Sequence, residues 1–122
     1  MNNINSNLET IQKFKEDGYF VKNEMFDSEE LKEIKDQLEL YIDEVVPKMP
    51  ENQVYYDQKN QKESLKQIQK MFEYNTFFND LMHGRIYELA GKLLGENPKV
   101  INLQYFNKSP KYSKPTPPHQ DG

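Results

Sequence analysis

Residues Tyr105 to Gly122 read YFNKSPKYSKPTPPHQDG, a strand-like start, a proline-rich cationic loop and a final His119-Gln120-Asp121-Gly122. In an extended segment, side chains two positions apart point the same way. His119 and Asp121 are so spaced, which lets an imidazole and a carboxylate share one divalent metal. Two ligands do not complete a metal face, so the site begins here without being finished.

The segment feeding this loop, Lys99 to Asn107 (KVINLQYFN), alternates with the two-residue period of a strand. Ile101, Leu103 and Tyr105 fall on one face; Val100, Asn102, Gln104 and Phe106 fall on the other. The two amides of the second face need partners if buried, so that face meets water or lines a polar cavity.

Before the strand, Asn75 or Thr76 opens a helix whose apolar residues run from Phe77 to Leu94, and Gly95 suits its left-handed end. His83 lies one step from the apolar face, where a partly buried structural histidine is the simpler reading than a ligand. Leu65, Ile68 and Met71 are spaced ambiguously between a helix and an irregular strand. Residues 47–63 lack helical period and predict an exposed excursion, with extended segments around Val54-Tyr55-Tyr56; it is placed either to edge a substrate mouth or, at least as simply, to be a surface loop of no chemical consequence.

The best-signalled helix runs from Phe26 to Val46. Asp27 caps it, Glu30 completes a capping box, and Phe26 with Leu31 is placed for a hydrophobic staple. Leu31, Ile34, Leu38, Tyr41 or Ile42, and Val45 form its core stripe, and Pro47 stops it. An earlier helix starts with Ser6 as cap and ends at Gly18. Tyr19-Phe20-Val21 then favours a short strand, with a packed extended linker as the alternative.

The 122 residues make one domain at most, and a net charge of −4 gives no nucleic-acid footprint. Eight tyrosines and seven phenylalanines with clear periodicity set the chain apart from disordered sequences. There are no cysteines, which excludes disulfides and thiolate metal sites. No segment has the length and apolarity to span a bilayer, and a cytoplasmic protein without membrane insertion is the expectation.

Helices packed on a developing sheet give an α+β class. The sequence resembles the N-terminal part of the phytanoyl-CoA dioxygenase-like family of iron(II)- and 2-oxoglutarate-dependent oxygenases. The resemblance covers most of the chain. It rests on Phe14…Asp17-Gly18-Tyr19-Phe20-Val21, the capped helix after Phe26, and Leu93-Leu94-Gly95 before the strand. Its specific blocks are Gln104-Tyr105-Phe106-Asn107-Lys108-Ser109-Pro110 and Pro118-His119-Gln120-Asp121-Gly122. The resemblance implies a double-stranded β-helix, or jelly roll, with helices packed on its first strands. By similarity, His119 and Asp121 are iron(II) ligands. Gln104 borders the 2-oxoglutarate pocket, Lys66 helps to hold 2-oxoglutarate, and Asn107 and Lys108 lead structurally into the HxD loop.

The family's third iron ligand and distal basic residue have no counterpart here, nor do most jelly-roll strands. The chain is therefore expected to be the N-terminal portion of a single truncated oxygenase domain, inactive alone. The complete protein is expected to hydroxylate a C–H bond of a small or lipid-like metabolite. The alternative is a non-catalytic interaction or scaffold domain in which HxD is incidental; a metal hydrolase is a third reading. Lys108, Lys111 and Lys114 suit either an anionic substrate portion or, more simply, a solvated loop. Substrate identity and oligomeric state are not encoded in any recognisable pattern.

Overall fold

A computed structural model describes residues 3–120, and it has four helices and a three-stranded antiparallel sheet among them. Helix α1 spans Asn3–Asp17, so it begins before Ser6 and that residue is not its cap. Its end follows the expected pattern: Gly18 takes φ 82° and donates its N–H to the Phe14 carbonyl at 2.8 Å. Tyr19-Phe20-Val21 is not a strand. No neighbouring strand pairs with it, and Tyr19 and Val21 stand exposed, so the extended-linker alternative is the one observed.

Helix α2 spans Ser28–Glu44 with the full capping box. Glu30 N–H donates to Asp27 Oδ1 at 2.8 Å, and Asp27 N–H donates to Glu30 Oε1 at 3.0 Å. Of the expected stripe, Tyr41 is buried and Leu38, Ile42 and Val45 pack on the core, while Leu31 remains mostly exposed. The helix ends before Pro47, which sits instead at the start of a 3₁₀ turn, Val46–Lys48.

Glu30 has a second task. The Arg85 guanidinium forms a two-pronged ion pair with its carboxylate, donates to the Met25 carbonyl at 2.7 Å and lies 5.4 Å from the Phe26 ring centroid. This clamp joins the start of α2 to the start of the helix that begins at Arg85. The Arg85 hydrogen bond, helped by the Asp27 backbone, holds the Glu30 carboxyl below its usual pKa. A lowered folded-state pKa adds stability above the unfolded carboxyl pKa and loses it as pH falls through the folded value. Arg85→Ala should therefore lower stability near neutral pH and flatten the acid limb of a urea-denaturation series taken against pH.

The predicted long helix after Asn75 is broken in two. Helix α3 covers Thr76–Met82 and α4 covers Arg85–Leu94, with His83 and Gly84 between them. Asn75 caps α3 by accepting from Phe78 N–H, and Gly95 ends α4 at φ 73°. The break has a local cause. His83 N–H reaches both the Asn79 and Asp80 carbonyls, tightening the last turn of α3, and its ring Nδ1 adds a 2.8 Å contact to the Asn79 carbonyl. His83 is therefore structural but exposed, not partly buried.

Strand β1, Val54–Tyr56, confirms the extended segment expected inside residues 47–63. Leu65–Ile68 resolves as strand β2, pairing with β1 on one side and with strand β3, Tyr105–Phe106, on the other. The strand predicted over Lys99–Asn107 is thus regular only at Tyr105 and Phe106. Upstream of them the chain is tied to its neighbours irregularly: Met71 N–H donates to the Leu103 carbonyl at 3.0 Å, and Lys70 N–H to Asn102 Oδ1 at 2.8 Å. Ile101, expected on one face with Leu103 and Tyr105, is 81% exposed, whereas those two are partly buried.

The core is built where these pieces meet. Tyr41, Val46, Met49, Val54, Leu65, Ile68, Met71 and Phe78 form one buried cluster. The Tyr41 and Phe78 rings meet edge to face at 5.6 Å, and the Tyr41 hydroxyl donates to Met49 Sδ at 3.3 Å. Burial, with a smaller contribution from Tyr74, pushes that hydroxyl up to about 12. The sheet is open and unclosed: helices on the first strands are observed, a complete jelly roll is not.

Candidate functional site

Strand β2 positions the first site residue. Leu65 and Ile68 turn into the core, leaving Lys66 exposed. Asn107 fastens the following loop to the same strand: its N–H donates to the Lys66 carbonyl at 2.8 Å and its side-chain amide to the Leu65 carbonyl at 3.2 Å. The structural role expected of Asn107 is therefore visible as two hydrogen bonds. Beyond it, the Tyr112 and Ser113 N–H groups both donate to the Ser109 carbonyl, closing a turn around a buried serine.

The proline-rich segment then returns past β2. It encloses a pocket of about 370 Å³ between Lys66 and Asn107 on one side and residues 113–119 on the other. That volume lies at the lower end of the roughly 300–1,000 Å³ usual for small-molecule pockets. His119 lines the pocket together with Lys66, so residues far apart in sequence share one cavity. His119 Nδ1 lies 3.0 Å from the Pro117 carbonyl. A carbonyl only accepts, so Nδ1 carries the proton in this contact.

Asp121 lies outside the described residues. Among the described residues, no group of three or more His, Asp or Glu side chains is gathered to hold a metal. His119 alone fits such a group as one nitrogen donor at the pocket rim, with the Lys66 ammonium available for an anionic cosubstrate. Gln104 does not line the pocket directly. Its Oε1 accepts at 2.7 Å from Gln67 Nε2, and Gln67 forms part of the wall, which places Gln104 one side chain behind it.

The lysine series divides. Lys108 and Lys114 line the pocket, and Lys108 Nζ reaches the Lys114 carbonyl at 3.4 Å, whereas Lys111 lies over the Tyr112 ring. All three side chains are exposed, as the solvated-loop reading expects. Asp57 was not singled out from sequence, although it falls in the excursion expected to edge a substrate mouth. It lines the same pocket from the end of β1.

Among the described residues no helix is long and apolar enough to cross a membrane. No curated protein and no solved structure matches the chain significantly. A family model does: the one described as Phytanoyl-CoA dioxygenase (PhyH) matches residues 14–122. With that match spanning almost the whole sequence, the chain belongs to the phytanoyl-CoA dioxygenase family.

Proposed function

We propose that the protein is an iron(II)- and 2-oxoglutarate-dependent dioxygenase that hydroxylates a C–H bond of a small or lipid-like metabolite in the cytoplasm. This chain is the N-terminal portion of its single oxygenase domain, and the partly built sheet is consistent with further strands joining it. The observation that carries the reading is the shared pocket of Lys66 and His119.

His119 and Asp121 are the iron ligands in this reading, with a third supplied by a following segment. When bound, iron supplies coordination positions for cosubstrate and dioxygen and the oxidising capacity for C–H cleavage. The chain's own residues do the positioning. The Pro117 carbonyl orients the His119 ring through Nδ1. Lys66 pairs its ammonium with a 2-oxoglutarate carboxylate, and Gln104 keeps Gln67 oriented along the pocket wall. The Asn107 hydrogen bonds hold the HxD loop against the strand that carries Lys66.

Succinate release from 2-oxoglutarate, measured on the protein containing this chain, tests the assignment. Lys66→Ala should raise the KM for 2-oxoglutarate by about tenfold or more, the worth of one charge-assisted contact, while leaving the fold intact. An unchanged KM would remove Lys66 from the cosubstrate site.

A further inference from the structure

Two walls of the pocket are joined by a bond that lies outside it. One wall rests on the Lys62–Ser64 turn, which runs directly into β2 and so into Lys66. That turn is firmly set. Ser64 is fully buried, its hydroxyl accepts from Gln58 N–H at 3.0 Å, and its carbonyl accepts from Asp57 N–H at 2.9 Å. Glu63, at the centre of the turn, stands exposed.

The other wall is residues 113–119, which include Pro115, Pro117 and Pro118. Proline has no N–H to give a strand ladder, and a proline-rich segment is semi-rigid, so its course depends on how its start is anchored. Tyr112 immediately precedes it, in the turn that closes on the Ser109 carbonyl. The Tyr112 hydroxyl donates to Glu63 Oε1 at 3.3 Å, across 49 positions of sequence. Burial, and then the Glu63 carboxylate, holds that hydroxyl above its usual pKa and keeps it the protonated donor. Lys111 Nζ lies 5.5 Å from the Tyr112 ring centroid, a contact that the ring makes without its hydroxyl.

We propose that Tyr112 is a positioning residue: through Glu63 it latches the segment carrying His119 to the turn ahead of Lys66, setting their separation across the pocket. Tyr112 does not itself line the pocket, so it acts on both groups from behind. The inference rests on the oxygenase reading only in taking His119 and Lys66 as groups that must face one another.

The test uses the full chain. Without metal, NMR order parameters of the Ser113, Lys114 and Thr116 amides should fall from near the rigid value of about 0.85 to below about 0.6 in Tyr112→Phe. Affinity for 2-oxoglutarate with Mn(II) should weaken about two- to fivefold, the worth of one long hydroxyl bond. Glu63→Ala should match Tyr112→Phe on both readouts, whereas Glu63→Gln, which keeps an acceptor oxygen, should stay near wild type. The double variant Tyr112→Phe/Glu63→Ala should be no worse than either single change. Side chains contributing separately would add in the double variant. Additive effects, Glu63→Ala and Glu63→Gln acting alike, amides flexible in the wild type or ordered in both single variants, or affinity unchanged in both would each overturn the inference. If the wild type does not bind 2-oxoglutarate while the order parameters follow the expected pattern, the oxygenase reading alone falls. If the wild type binds 2-oxoglutarate and that pattern fails, the latch alone falls.

Discussion

His119→Ala is expected to abolish 2-oxoglutarate-dependent turnover in the protein containing this chain and to strip it of stoichiometric iron. Loss of a residue that merely orients a metal ligand costs about 10- to 100-fold in affinity or activity, so loss of the ligand should cost at least about 100-fold. Stability should hardly change. The His119 side chain is exposed and sits on an extended segment outside the buried cluster, so the expected effect on unfolding is within about 0.5 kcal/mol. Succinate release, metal content and a thermal melt on the same preparation check all three statements. Turnover surviving with iron still bound would exclude His119 from the metal site.

The largest effect on stability is expected at Ile68. Its side chain is 0% exposed, and its strand is paired on both sides, opposite Val54 in β1 and Tyr105 in β3. Ile68→Ala leaves a cavity where α2, the sheet and the turn at Met71 converge, at a cost of about 2–5 kcal/mol. Since domains of this kind are stable by only about 5–15 kcal/mol, much of the folded population is at risk at physiological temperature. The strand that loosens also carries Lys66, so affinity for 2-oxoglutarate should fall as well. Ile101→Ala is the matched control: with 81% of its surface exposed, it should change stability by less than about 0.5 kcal/mol. Urea denaturation of the two variants beside the wild type compares them, and equal losses would contradict the core assignment.

The contrast between these isoleucines shows what the sequence reveals and what it hides. Signals confined to neighbouring residues read correctly. The capping box at Asp27 and Glu30 and the glycines ending α1 and α4 depend on bonds within one turn. Long-range choices read less well. Alternation put Ile101 on one face with Leu103 and Tyr105, but the chain there is held by Asn102 and Leu103 to the turn after β2, and among the described residues no strand pairs with it. The single helix expected from Phe77 to Leu94 has enough apolar residues to be continuous. It breaks at Gly84, where Arg85 instead starts α4 and reaches across to Glu30.

Site residues follow the same division. His119 and Lys66 stood out through motif resemblance, and only the fold shows them lining one pocket. Gln104 is hydrogen-bonded to Gln67 of β2, a pairing across 37 positions that no local pattern announces. Asp57 had no motif at all. Its place in a pocket that three lysines also line exists only after folding.

The central claim is that a divalent metal belongs at His119, beside Lys66. Mn(II) is a paramagnetic stand-in for iron(II), and the chain's two histidines give an internal comparison. Titrating Mn(II) with 2-oxoglutarate into the chain and following both imidazoles by NMR reads the site directly. The account predicts that His119 and Lys66 resonances broaden together at low metal, while His83, held in the bend between α3 and α4, stays sharp. Equal broadening of His83 and His119, or broadening of His83 alone, would contradict it.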